Sequence, residues 1–146
     1  MADDRTIFVL NGPNLNLLGT REPEIYGYDT LDDIADQMED AAQRQHVTLD
    51  FRQSNHEGHL IDWLHEAAGA GAHAVILNAG ALTHTSVGLH DAIKSIATPV
   101  IEVHLSNPHK REDFRHKSYV GMAAKGTIAG FGALSYMLAL EAALDL

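Results

Sequence analysis

Two pairs of side chains in the sequence have the types and spacing that acid–base chemistry needs. Arg21 and Tyr26 lie five residues apart, in a segment that can fold one side chain over the other. A phenol titrates near pH ~10, and a neighbouring guanidinium favours its phenolate form. The same composition is also typical of a proline-rich surface loop with a solvated arginine.

Glu102 and His104 form the second pair, near the end of a predicted strand. Because side chains alternate between the two faces of a strand, residues two apart point to the same side. A histidine there can hold a proton for general acid work near neutral pH, and a neighbouring carboxylate can orient its imidazole. The alternative for His104 is a histidine at a strand end that bonds only to the backbone.

The stretch 11–27 carries the first pair and connects the first predicted strand to a helical pattern that begins near Thr30. This connection is about three times the usual two to six residues between a strand and a helix. It contains two prolines and three glycines, which fix or free the backbone. Long connections of this kind are usually binding loops or lids, so the stretch is predicted to be functional.

Composition limits the class of protein. The 146 residues are expected to form one domain, 1–146, with 45% hydrophobic and 21% charged residues. The formal charge of −10 argues against nucleic acid or an anionic membrane as partner. No apolar run reaches the ~18 residues of a membrane span, and the start, Met1-Ala-Asp-Asp4, lacks the basic residues of a secretory signal. With no cysteine, disulfides and thiolate metal sites are excluded, and a cytoplasmic location is expected.

A local basic run departs from this acidic balance. Four of the ten Lys and Arg residues fall within 109–117: Lys110, Arg111, Arg115 and Lys117. A basic pocket on an acidic protein suits a small anion better than a polymer. A solvated charged turn is the alternative.

Apolar runs alternate with helical patterns along the chain. The predicted strands are Ile7–Leu10, Val47–Phe51, Ala74–Leu77, Val100–Val103 and a short fifth at 127–129. Helical spacing follows the first three strands, and a last helix is predicted from Phe131 to Leu144. N-terminal caps are predicted at Thr30 with Asp33 and at Ser54 with Glu57. The alternation predicts an α/β fold, a flavodoxin-like five-stranded parallel sheet with helices on both faces.

Polar side chains follow four of these strands. In open α/β sheets, ligands bind beyond the carboxyl ends of the strands. Amide, hydroxyl and imidazole groups gather there in place of the Lys and Glu of a solvated rim, which favours a polar small-molecule site. The four segments are Asn11-Gly-Pro-Asn14, Gln53-Ser-Asn-His-Glu-Gly58, Asn78-Ala-Gly-Ala-Leu-Thr-His84 and Glu102-Val-His-Leu-Ser-Asn107.

Two short motifs point elsewhere and are rejected. His56-Glu-Gly-His59 lacks the four-residue histidine spacing of a zinc protease, so no metal site is expected. Gly130-Phe-Gly132 opens the last helix, whereas a dinucleotide fingerprint follows the first strand.

The run Asn11-Gly-Pro-Asn-Leu-Asn-Leu-Leu-Gly-Thr-Arg-Glu-Pro-Glu-Ile-Tyr-Gly27 resembles the signature of type II 3-dehydroquinate dehydratases over 17 residues without a gap. Four further blocks resemble that family in order and extend the likeness over nearly the whole chain: 54–58, 78–86, 102–107 and 111–116. Family members often carry Pro at the position of Ala79 and Tyr at that of Leu82, changes that touch packing and leave the proposed chemistry intact.

The resemblance implies the flavodoxin-like fold and conversion of 3-dehydroquinate, a small anion, to 3-dehydroshikimate and water. It implies no metal, nucleotide or Schiff-base lysine, and trimers that associate into a homododecamer. The implied catalytic residues are Tyr26 as base, Arg21 as its activator, His104 as proton donor, Glu102 as its orienting partner and Asn14 as holder of a water on the enolate. The implied substrate-binding residues are Asn78, His84, Leu105, Ser106 and Arg115, with Asp91 reaching in from a neighbouring subunit.

A second hypothesis is a non-catalytic module of the same fold that binds a small anion or a nucleotide. Such a module has no use for the two acid–base pairs and would show affinity without turnover.

Overall fold

Five parallel strands form the sheet of the computed structural model, which describes residues 4–146. Their order across the sheet is β2-β1-β3-β4-β5, and each neighbouring pair is parallel. This is the flavodoxin-like order, so the predicted fold class is confirmed. The strands are β1 (Thr6–Asn11), β2 (Thr48–Gln53), β3 (Ala74–Asn78), β4 (Val100–His104) and β5 (Gly126–Ala129). The start of the chain, on which the expectation about a secretory signal rests, lies partly outside the described residues.

Helices cover both faces of the sheet, because its central strands bury side chains in both directions. The helices are α1 (Pro23–Tyr26), α2 (Leu31–Arg44), α3 (Glu57–Gly69), α4 (Val87–Ser95), α5 (Tyr119–Ala123) and α6 (Leu134–Leu144). Ile7 and Val9 pack on one face with α2 and α6, whereas Phe8 and Leu10 pack on the other with α3, α4 and α5. Within residues 4–146, no helix is long and apolar enough to cross a membrane.

One of the two predicted caps is present. The Thr30 hydroxyl accepts from the Asp33 N–H at 3.0 Å, and Asp33 accepts from the Thr30 N–H at 2.9 Å, so this capping box is confirmed. The cap at Ser54 is wrong, because α3 begins at Glu57 and its N-cap is His56. Ser54 lies two residues too early and instead bonds the His56 N–H and His59 Nδ1.

The stretch 11–27, predicted to be functional, contains more regular structure than its sequence indicates. A 3₁₀ turn at Leu15–Leu17 and the one-turn helix α1 interrupt it. Leu15 and Leu18 are buried in the core cluster that contains α2 and α6, which anchors the stretch to the sheet.

The last helix starts at Leu134, three residues later than predicted, since Gly132 has a φ of 62° that no helix accepts.

Candidate active site

A pocket opens at the carboxyl ends of β1, β3 and β4, where the order of the strands switches. Nine of the eleven predicted site residues line it, and their convergence follows from the parallel sheet, whose strand ends meet at one edge. The nine are Asn14, Arg21, Tyr26, Asn78, His84, His104, Leu105, Ser106 and Arg115. Pro13, Leu15, Gly80, Ala81, Pro108 and Arg111 complete the wall.

Two guanidinium groups flank the ring of Tyr26. The Cζ atom of Arg21 lies 4.8 Å from the ring centre, and that of Arg111 lies 5.0 Å from it. Positive charge at this range of an aromatic ring is attractive. Sequence reasoning assigned Arg21 to this place and missed Arg111. Arg111 belongs to the basic run 109–117, but the sequence does not indicate which cation of this run lies next to Tyr26.

The one-turn helix α1 fixes where Tyr26 stands. Glu22 precedes it at a φ of 41°, in the left-handed region, and Pro23 supplies the first helical position. The Gly27 N–H then donates to the Pro23 carbonyl at 2.7 Å and ends the turn, with Gly27 at a φ of 84°. Residues with positive φ thus flank the single helical turn, whose last residue is Tyr26. The position of the Tyr26 side chain is therefore fixed by local backbone conformation as well as by packing.

His104 and Glu102 form a buried pair at the end of β4. His104 Nε2 donates to Glu102 Oε2 at 2.7 Å, and the residues are 8% and 2% exposed. Burial raises the pKa of the Glu102 carboxyl, but the hydrogen bond and positive charge of His104 and the hydroxyls of Ser118 and Thr127 outweigh it, so that this pKa lies below its ordinary value. The carboxylate is therefore ionised at neutral pH, and Nδ1 of His104 is the nitrogen available to a ligand.

His84 lies at the opposite wall with a defined tautomer. Its Nδ1 donates to the Lys117 carbonyl at 2.8 Å, because a carbonyl can only accept. Burial lowers the pKa of His84, although the bond to Lys117 opposes this. A neutral imidazole with the hydrogen on Nδ1 presents Nε2 as an acceptor, which suits a hydroxyl group of a ligand.

Polar groups at the end of β3 and in the loop after β1 form the floor of the pocket. Asn14 adopts a left-handed φ of 69°, which asparagine tolerates better than most residues, and its N–H donates to Asn55 Oδ1 at 2.9 Å. Asn78 is 3% exposed, and its Oδ1 accepts from the Gly80 N–H at 3.1 Å. The two loops pack tightly, since a Cβ at Gly12 would lie 2.5 Å from the Ala79 carbonyl oxygen.

The basic run contributes two of its four cations to the pocket. Arg111 Nη1 donates to the Ser106 hydroxyl at 3.3 Å, and Arg115 Nε donates to Glu112 at 3.1 Å. Lys117 instead stacks on the Tyr119 ring at 4.7 Å. The pocket of this acidic chain is therefore locally positive, as a site for an anion requires.

Two predicted residues do not line the pocket. Glu102 lies behind His104 and acts on the pocket only through it. Asp91 lies on α4 with its side chain 69% exposed, and it accepts from His90 Nδ1 at 2.9 Å. Its helix buries Leu89, Ala92 and Ile93 against the sheet, so Asp91 points away from the pocket of its own chain.

No group of three or more His, Asp or Glu side chains that could hold a metal ion occurs within the described range, 4–146. What the pocket assembles is a tyrosine flanked by cations, a histidine backed by a carboxylate, and amide and hydroxyl groups on two loops. With the flavodoxin-like sheet, these parts are those of an α/β enzyme with acid–base groups in its pocket.

Comparison with known proteins identifies the family. The model of the family "Dehydroquinase class II" matches residues 5–144. A 3-dehydroquinate dehydratase of Rhizobium johnstonii is 60% identical over 138 residues, which cover 94% of each chain. The type II dehydroquinase of Butyrivibrio crossotus superposes with a TM-score of 0.95 at 37% identity and covers 97% of this chain and 98% of its own. That of Propionibacterium acnes has a TM-score of 0.93 at 40% identity, with 99% and 100% covered.

The chain belongs to the class II dehydroquinase family and is an enzyme of the hydro-lyase class. The resemblance that its sequence motifs carry is thereby confirmed.

Proposed function

We propose that the protein eliminates water from 3-dehydroquinate through an enolate and gives 3-dehydroshikimate, a step of the shikimate pathway that supplies aromatic amino-acid synthesis. The observation that carries this proposal is one pocket lined by both a tyrosine with two guanidinium groups close to its ring and a histidine held by a buried carboxylate. The first group is suited to take a proton and the second to give one.

Tyr26 acts as the base. A proton on the carbon next to a ketone is weakly acidic, so its removal needs a positioned base and a stabilised enolate. The phenolate of Tyr26, favoured by Arg21 and Arg111, takes this proton, and the electron pair of the C–H bond moves onto the ketone oxygen. Asn14, at the floor of the pocket, holds a water that donates to the enolate oxygen.

His104 acts as the acid in the second step. The electron pair on the enolate oxygen re-forms the ketone, the carbon–carbon pair of the enolate shifts to form the new double bond, and the neighbouring C–O bond breaks as the hydroxyl leaves. The Nδ1–H of a protonated His104 gives that hydroxyl its proton, so water departs and no net charge builds up. Glu102 accepts from Nε2 at 2.7 Å and stabilises the protonated imidazole until the transfer.

The remaining pocket residues bind the substrate. Backbone N–H groups at Leu105 and Ser106 and the guanidinium of Arg115 hold its carboxylate. Asn78 and the acceptor Nε2 of His84 take its hydroxyl groups. No metal, nucleotide or imine-forming lysine takes part in this scheme.

The site is completed by assembly. We propose that the whole chain, 1–146, is one catalytic domain and that trimers associate into a homododecamer, in which Asp91 reaches the pocket of a neighbouring subunit. The exposure of Asp91 on α4 supports this, because a side chain that points away from the pocket of its own chain is accessible to the pocket of a neighbouring subunit. The absence of cysteine supports a cytoplasmic location, and the charge of −10 supports a role without nucleic acid or membrane.

A spectroscopic assay with 3-dehydroquinate tests the function. The product contains an enone conjugated with its carboxylate, so turnover is expected to raise the ultraviolet absorbance. Binding of the substrate without this change contradicts the proposal and supports a non-catalytic anion-binding module. Borohydride added with substrate is expected to leave activity intact; irreversible inactivation would show that a lysine imine forms.

A further inference from the structure

A tyrosine from the last helix is buried at the place where the site loops leave the sheet. Tyr136 of α6 is 0% exposed, and its hydroxyl lies 2.6 Å from Asn11 Oδ1 and 2.9 Å from Asn78 Nδ2. Asn11 and Asn78 end the neighbouring strands β1 and β3 and pair with each other in the sheet register. A single hydroxyl thus joins the last residues of the two strands that carry the floor of the pocket.

The directions of these hydrogen bonds are determined. An amide oxygen only accepts, so the Tyr136 O–H donates to Asn11 and its lone pair accepts from Asn78 Nδ2. The other end of each amide is also engaged: Asn11 Nδ2 donates to the Arg52 carbonyl at 2.9 Å, and Asn78 Oδ1 accepts from the Gly80 N–H at 3.1 Å. If the Asn78 amide were flipped, its NH₂ group would face the Gly80 N–H, and two donors would meet with no acceptor between them. The network allows one orientation of each amide.

The network affects the pocket through Asn78, which lines it. Asn78 Nδ2 carries two hydrogens, and one of them is donated to the Tyr136 hydroxyl. We infer that Tyr136 is a positioning residue, whose hydroxyl fixes the Asn78 amide so that its second N–H is held ready for the substrate. The identity of that substrate rests on the proposed function, whereas the network itself does not.

The burial of Tyr136 makes it suited to this task. Burial raises the pKa of its phenol far above the physiological range, although the bond from Asn78 opposes this, so the O–H stays in place as a donor at every working pH. A phenylalanine would fill the same space, pack against the same core and leave two buried amide groups short of a partner. The hydroxyl therefore has a role that packing alone does not require.

Steady-state kinetics of Tyr136→Phe test the inference. Loss of the hydroxyl lets the Asn78 amide rotate, so KM is expected to rise about tenfold while kcat changes much less, as for a binding contact shared by ground and transition states. Ser135→Ala is the matched control: it removes a fully buried hydroxyl from the adjacent position of α6, where Ser135 accepts from the Phe131 N–H at 3.0 Å. This control is expected to lose stability and to keep its KM.

A double-mutant cycle separates positioning from a general loss of stability. If Tyr136 acts through Asn78, adding Tyr136→Phe to Asn78→Ala changes kcat/KM by less than about twofold. Additive losses, or a KM in Tyr136→Phe equal to that of Ser135→Ala, overturn the inference. If Tyr136→Phe does not fold, Asn11→Ala takes its place, because it removes the acceptor of the hydroxyl; an unaltered KM there has the same meaning.

A crystal structure of Tyr136→Phe gives a readout that needs no activity. The Asn78 side chain is expected to leave the Gly80 N–H or to adopt a second orientation, and an unchanged Asn78 overturns the inference. A wild-type chain that forms no enone from 3-dehydroquinate contradicts the proposed function alone, since the crystal structure still decides what Tyr136 does.

Discussion

His104 Nε2 donates to Glu102 Oε2 at 2.7 Å near the end of β4, and two hydroxyl groups also donate to this carboxylate. Thr127 of β5 donates to Oε1 at 2.7 Å, and Ser118, the N-cap of α5, donates to Oε2 at 2.6 Å. Three donors on one buried carboxylate leave it fixed and ionised. The imidazole it holds can turn only one nitrogen to the pocket, and this determines how the site handles its second proton.

Glu102→Gln is expected to change how stability depends on pH. Because the folded pKa of Glu102 lies below its ordinary value of 4.5, this carboxylate stabilises the fold fully above pH 4.5, and the contribution is lost as the pH falls through the folded value. The variant lacks this contribution, so its urea midpoint should lie below that of the wild type at pH 7. The difference should narrow as the pH falls below 4.5, where the wild type progressively loses this contribution. A difference between the two midpoints that stays constant as the pH falls would contradict a depressed pKa.

Thr127→Val should lower kcat by about tenfold, because it removes one donor from Glu102 and leaves the side-chain shape nearly unchanged. Thr127 is exposed at its position on the edge strand, so the fold should be little affected. Thr127→Ser restores a hydroxyl and should recover most of the rate. Equal losses in Val and Ser variants, measured with the enone assay, would mean that the methyl group matters and the hydrogen bond does not.

Tyr26→Phe should bind substrate and turn it over ~10²–10⁴-fold more slowly, the usual contribution of a positioned base. The ring remains close to both guanidinium groups, so the stretch 11–27 should keep its structure. Tyr28→Phe is the control, since Tyr28 lies two residues away with 81% of its surface exposed. Near-normal turnover by Tyr26→Phe would remove the assignment of Tyr26 as the base.

Arg21→Gln and Arg111→Gln should each reduce turnover near neutral pH, because each removes a cation that lies about 5 Å from the Tyr26 ring. Arg44→Gln, which removes an exposed cation in the last turn of α2, is the control and should leave turnover unaltered. If both test variants keep wild-type turnover, the two cations do not assist Tyr26.

The sheet and most of the site were predictable because they depend on patterns that tertiary structure does not override. β1, β3 and β4 are buried on both faces, β1 and β3 carry continuous apolar runs, and parallel strands bring their ends to one edge. Polar side chains at the ends of such strands can therefore line a common pocket, as Asn78 of β3 and His104 of β4 do.

The misses have a common cause, which is that short or ambiguous segments carry little pattern. α1 and α5 have four and five residues, too few to show a helical period. Arg111 is one of four cations in nine residues, and only the packed turn decides that it stacks on Tyr26 while Lys117 stacks on Tyr119. Ser54 matched a capping motif in spacing, but the helix started two residues beyond it.

Asp91→Ala tests whether the site needs a second subunit. The side chain points away from its own pocket, and in a monomer its removal should have almost no effect on the reaction. If Asp91 contacts substrate in a neighbouring subunit, the variant should instead raise KM, and sedimentation should show an oligomer for both wild type and variant. Asp36→Ala, at an exposed position on α2, is the matched control for loss of a surface carboxylate.

Mixed oligomers decide the point, because complementation between subunits has no explanation within one chain. Refolding Asp91→Ala together with Tyr26→Phe places an intact Tyr26 beside an intact Asp91 from another subunit in part of the sites. Activity of the mixture should then exceed the mean of the two variants assayed alone, with the excess following the random distribution of subunits. A fully active monomer, or a mixture that equals that mean, would show that each chain carries a complete site.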